Sequence, residues 1–158
     1  MRSRISVILL ALAVSSFAAC ASSNPRGSDF YVELSRGSCF GNCPSYVLSI
    51  DGAGEVVYRG TRENKYDYGD GVGSITIEQV GELRQEITKA SFFDVPTPNC
   101  DEIIDDESDF RLSVKDGKDE RQVYRHHGCS YSEPDSVIEL ARFIDDITNS
   151  SRWHKSSE

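Results

Sequence analysis

Apolar and polar positions alternate with period two over Asp29–Arg36, "DFYVELSR", the signature of a half-buried strand. The same alternation returns in "SYVLSI" and "EVVYRG", which flank "DGAG" and predict a hairpin with Tyr46, Leu48 and Ile50 on one face. "GVGSITI" reads as a further extended piece. The period then changes. Val80, Leu83 and Ile87 fall at i, i+3 and i+7, so Glu78–Ala90 predicts an amphipathic helix, with Thr76 and Gln79 spaced as a capping box. Phe92 and Phe93 follow as core plugs at the helix exit. "FRLSV" and "RQVYRHH" around "KDGKDE" predict a second hairpin, with Phe110, Leu112 and Val114 inward. A last helix is expected from near Pro134, behind Ser132 as cap, with Val137, Leu140, Ile144 and Ile147 as its stripe. Strands and helices segregated in this way predict an α+β domain. Its antiparallel sheet consists of two hairpins plus an N-terminal strand, with two amphipathic helices on one face.

The start of the chain follows a different pattern. Arg2 and Arg4 precede an apolar run of about 13 residues, "ISVILLALAVSSF", too short for a bilayer core that needs roughly 20. A positive start, a short apolar run and small residues after it describe a cleaved export signal. The run ends in Ala18-Ala19-Cys20, which resembles a bacterial lipobox, with Phe17 where that pattern usually has leucine. The resemblance implies a signal peptide over residues 1–19 and a lipid anchor on Cys20. Ala21 after the cysteine implies delivery to the outer membrane in a Gram-negative cell. A rival cut after Ala21 also fits small-x-small cleavage. Residues 20–28, with "ASSNPRGS", read as a flexible tether. Residues 29–149 then form one domain, and 150–158 a polar tail.

Composition narrows the partners. The formal net charge is −9, and loss of Arg2 and Arg4 with the signal would make the mature chain more acidic still. Such a surface repels nucleic acid and anionic lipid, so the expected partners are the membrane, through the anchor, and an envelope protein or cell-wall component.

The chain has five cysteines, an odd count for an exported protein. Lipidation of Cys20 leaves Cys39, Cys43, Cys100 and Cys129. Two disulfides are the expected state in an oxidising compartment, and the favoured pairing is Cys39–Cys43 with Cys100–Cys129. Loop entropy assigns about 2 kcal/mol to the first and roughly 3.6 kcal/mol to the second. A metal site is the alternative. C-x-x-x-C-P with a distant histidine resembles the copper-binding loop of Sco-type chaperones, and Cys39, Cys43 and one of His126 or His127 would suit copper(I) or zinc. Those chaperones are thioredoxin-like, and no alternating strand–helix–strand pattern is visible here. A thiol–disulfide exchange centre would want C-x-x-C at a helix start.

Other chemistry has weaker support. Asp101, Glu102, Asp105, Asp106, Glu107 and Asp109 crowd one stretch but lack the glycine of a calcium loop. "GDGVG" lacks the lysine of a phosphate cradle, and no nucleophile elbow, H-E-x-x-H or haem motif is present. No cofactor is expected. Tyr58, Tyr66, Tyr68 and Tyr124 suit packing at half-buried strand positions more than a recognition surface.

"GSCFGNCPSYVLSIDGAGEVVYRG", the helix ending "FFDV", "HHGC" and the helix ending "FIDDI" together resemble a bacterial envelope family, the domain of unknown function 6438. Its C-x-G-x-C-P-x-Y signature is carried by Cys39, Gly41, Cys43, Pro44 and Tyr46. The resemblance implies the fold and an envelope location, and it implies no catalytic activity.

Overall fold

The structure, a computed structural model, describes residues 29–37, 43–60, 69–96, 110–125 and 135–154. The order is β1 (Phe30–Arg36), β2 (Tyr46–Asp51), β3 (Glu55–Gly60), β4 (Gly71–Ser74), α1 (Ile77–Lys89), β5 (Phe110–Asp116), β6 (Asp119–Arg125) and α2 (Asp135–Thr148). Short 3-10 turns follow α1, at Phe92–Asp94, and α2, at Ser150–Trp153. The six strands make one sheet in the order β4-β3-β2-β1-β5-β6, antiparallel throughout. This is an α+β architecture.

The register follows from the alternation. Val32 lies opposite both Ile50 and Val114, and Leu34 opposite both Leu48 and Leu112. A slip by one residue would turn every one of these side chains to the other face, so burial fixes the pairing. Leu48 in turn faces Tyr58, and Leu112 faces Val123. The β2–β3 connection is tight. Asp51 Oδ1 accepts from the backbone N–H of Ala53 and of Glu55. Gly54 closes the turn at φ +81°, where a Cβ would meet the carbonyl oxygen of Ile75 at 2.4 Å.

The sheet has one strand more than two hairpins and a lone strand provide. The extended piece at Gly71–Ser74 pairs with β3 as a sixth, edge strand. Helix α1 starts behind the expected box: Thr76 Oγ1 accepts from the Gln79 N–H, and Gln79 Oε1 accepts from the Thr76 N–H. Its buried residues are Val80, Leu83 and Ile87, while α2 buries Val137, Leu140, Ala141, Ile144 and Thr148. These stripes join the inward residues of the sheet in one core. Phe92 is fully buried in it, and Phe93 packs against it edge to face. Polar ties fix the helix ends. The Arg84 guanidinium pairs with Asp116 and lies 4.2 Å from the centroid of Phe30, fastening α1 to β5 and β1. Ser136 Oγ donates to the carbonyl oxygen of Ala90, joining the start of α2 to the end of α1.

Residues 150–154 differ from the tail that the sequence suggests. The Ser150–Trp153 turn folds back onto the sheet, and Trp153 packs against the core. Asn149 makes the reversal possible by taking a left-handed conformation, which asparagine tolerates better than most residues.

Candidate functional site

β1 presents even-numbered residues to the core, and this alternation carries Arg36, its last residue, to the inward side at the sheet's end. Arg36 lies directly opposite Tyr46, the first residue of β2. Asp145 arrives from α2, one residue past the buried Ile144. The three side chains meet. Arg36 donates to Asp145 Oδ2 from Nε at 2.8 Å and from Nη2 at 2.6 Å, and its Nε also donates to the Tyr46 hydroxyl at 3.0 Å. The Tyr46 hydroxyl donates to Asp145 Oδ1, which also accepts from Ser150 Oγ at 2.9 Å. Both carboxylate oxygens therefore carry two donors each, which fills a carboxylate's acceptor capacity.

The electrostatics follow from this packing. Burial, reinforced by the neighbouring Asp145 charge and by the hydrogen bond to that carboxylate, pushes the Tyr46 hydroxyl well above the usual phenol range. The Arg36 charge and the hydrogen bond with Ser150 oppose the rise. Burial also works to lower the Arg36 pKa, but the Asp145 charge and the bonds to Asp145 and Tyr46 outweigh it, so Arg36 is raised. His154 is lowered, by burial first and by Arg36 second, against the pull of Asp145.

An aromatic stack continues from this triad. Tyr46 and Tyr58 stack at 4.9 Å, Tyr58 and Trp153 at 5.1 Å, and His154 tilts against Tyr46 at 5.5 Å. The room for Trp153 comes from β4. Gly71 and Gly73 lie on the same face as Tyr58 and Val56, and a Cβ on Gly71 would fall 2.0 Å from Trp153 Nε1. A Cβ on Gly73 would fall 2.2 Å from Nη2 of Arg152, whose guanidinium lies 4.0 Å from the Trp153 ring centroid. The glycines are a seat for the C-terminal turn.

A depression of about 350 Å³ opens beside the triad. Its walls include Arg36, Tyr46, Asp145 and His154, with Cys43 and Pro44 of the signature and Ser150 and Ser151 of the terminal turn. A second depression, of about 380 Å³, lies on the other sheet face between Tyr31, Glu33, Arg111, Lys115 and Glu120, where opposite charges alternate.

Of the residues singled out in the sequence, Cys43, Pro44 and Tyr46 come to this pocket. Cys43 is one half of a disulfide whose other half lies outside the described residues. Cys20, Cys39, Cys100, Cys129, His126 and His127 also lie outside them, as do the acidic stretch 101–109, Tyr66 and Tyr68. The histidine that shares a wall with Cys43 is His154. No group of three or more metal-ligating side chains occurs among the described residues. Tyr58 is buried within the stack, and Tyr124 is half-buried beneath the Arg111 guanidinium at 5.4 Å, so both pack rather than form an open surface. Arg36, Asp145, Ser150 and Trp153 escaped the sequence reading. Arg36 had a signal, since an arginine at an inward position of an alternating strand requires a buried partner.

A single antiparallel sheet with two helices, closed at one end by Tyr46 hydrogen-bonded to the Arg36–Asp145 ion pair, defines a small α+β domain. The family model described as a domain of unknown function, DUF6438, matches residues 30–148, and the chain belongs to that family. The match ends before the Ser150–Trp153 turn. No curated protein matches the chain.

Proposed function

We propose that this protein is a membrane-anchored bacterial envelope lipoprotein whose domain is a non-catalytic binding module. Residues 1–19 are the signal peptide, Cys20 carries the lipid, 20–28 are the tether, and two disulfides, Cys39–Cys43 and Cys100–Cys129, staple the domain. Both helices cover one sheet face. The observation that carries the non-catalytic reading is the saturation of Asp145. A general base needs an open lone pair, and this carboxylate has all four acceptor positions occupied by Arg36, Tyr46 and Ser150. The Tyr46 hydroxyl beside it stays protonated at neutral pH, so it acts as a structural donor. The engaged sulfur of Cys43 supports stapling. No described helix is long and apolar enough to cross a membrane.

The test is metabolic labelling with a palmitate analogue in cells expressing the full chain, together with intact mass. Label and membrane fractionation that are lost in Cys20→Ser, with the four-hydrogen deficit of two disulfides, are expected. An unlabelled chain released to the soluble fraction would overturn the anchor. Four reactive thiols with uptake of one copper or zinc ion would overturn the staple in favour of a metal site at Cys39, Cys43 and His126 or His127.

A further inference from the structure

We infer that the pocket between the Cys43–Pro44 segment and the C-terminal turn binds a single carboxylate attached to a short apolar group, with the Arg36 guanidinium as its anchor. This rests on the binding-module reading and names its ligand chemistry.

Asp145 takes the Nε and Nη2 hydrogens of Arg36, and this fixes the plane of the guanidinium. No described residue accepts from Nη1. Arg36 is three-quarters buried at a pocket wall, with a side-chain exposure of 25 %, so a planar donor pair is held in place there without an acceptor from the described chain. Asp145 is the only acidic residue among the described wall residues, and its lone pairs are filled. The site therefore offers donors to a ligand. The geometry of the free guanidinium edge selects the class: a planar donor pair fits the two oxygens of one carboxylate, and a chain of net charge −9 opposes a doubly charged anion. Of the other described walls, Pro44, Cys43, the Tyr46 ring and the His154 ring are apolar or aromatic, Gly37, Ser150 and Ser151 are small, and a depression of about 350 Å³ suits a small group. The opposite depression lacks this asymmetry, because Glu33 and Glu120 sit among its cations.

The chain has one tryptophan, Trp153, which reaches the pocket through the Tyr58–Tyr46 stack and makes fluorescence a local reporter. The full chain in detergent is titrated with N-acetylalanine, N-acetylalaninamide and isobutyrate, by calorimetry and by fluorescence. N-acetylalanine is expected to bind at least about tenfold tighter than its amide, the discrimination of a charge-assisted hydrogen bond. Isobutyrate binding as tightly as N-acetylalanine identifies free short-chain acids as the source. Weaker binding identifies a peptide terminus. Equal binding of acid and amide, or no binding of either acid up to about 10 mM, a limit of roughly 2.7 kcal/mol, overturns the assignment. Arg36→Lys keeps the charge and loses the fork, so it is expected to bind at least about tenfold more weakly. If that variant does not fold, the acid–amide pair decides alone. A chain that labels with palmitate but fails the titration overturns the carboxylate site and leaves the envelope reading intact.

Discussion

The Tyr46 hydroxyl donates to Asp145 across 99 residues of sequence, and the Arg36 guanidinium lies against both. This contact joins the start of β2 to the last turns of α2, so it closes the domain between the Cys43–Pro44 segment and the C-terminal turn. Because Asp145 is the shared acceptor, its loss affects three donors at once.

Asp145→Asn is expected to destabilise the domain by about 2–3 kcal/mol, since it leaves a mostly buried guanidinium without its counter-charge. Urea unfolding of the variant measures this. Combined with Tyr46→Phe, the two losses are expected to be non-additive by at least about 0.5 kcal/mol, as they remove the same bond. Strict additivity would show that the contact carries no energy.

Stability is expected to fall on the alkaline side through Tyr46. Its folded pKa is raised above the unfolded value of 10.0, so its contribution is full below that value. As pH rises past about 10 the unfolded tyrosine ionises first, and stability declines toward the folded pKa. Denaturation midpoints between about pH 9 and 11 are expected to flatten in Tyr46→Phe relative to the parent chain.

On the acid side the sign reverses for His154. Its folded pKa lies below the ordinary histidine value of 6.5, so the neutral ring is the form that the fold prefers. Its contribution is full above that value and is lost as pH falls from about 6.5 toward the folded pKa, where the ring must charge beside Arg36. His154→Gln is expected to remove this part of the acid slope in the same denaturation series, and an unchanged slope would assign it to other groups.

The glycine seat gives a paired test. Gly71→Ala is expected to cost about 1–3 kcal/mol by forcing Trp153 off the sheet, with a red shift of its fluorescence. Gly81→Ala, in α1, meets nothing within 4 Å and is expected to gain about 0.5–1 kcal/mol from helix propensity. Thermal melts of the two variants should therefore move in opposite directions.

Both helix stripes and the inward faces of β1, β2 and β5 were legible in the sequence, because Val80, Leu83, Ile87, Leu48, Ile50 and Leu112 repeat at the period of their element. The β4 strand was less so: four residues with two glycines carry little alternation, and pairing with β3 defines it. Of the Arg36, Tyr46 and Asp145 side chains that meet, one was also visible. Tyr46 stands in the cysteine signature and on the inward face of its strand. Asp145 gave no signal in "FIDDI", where two adjacent aspartates have equal claim, and only the rotation of α2 against the sheet chooses between them.

The sequence by itself determined which residues are apolar on which face, and hence the elements, their order and the α+β class, because period two and period 3.6 are local properties of the backbone. Tertiary structure alone decided that Arg36, Tyr46, Asp145 and Ser150 meet, and that "NSSRWH" is a seated turn with its tryptophan over Gly71. Those relations depend on how a strand end, a helix end and an edge strand converge in space, and no spacing along the chain encodes that convergence.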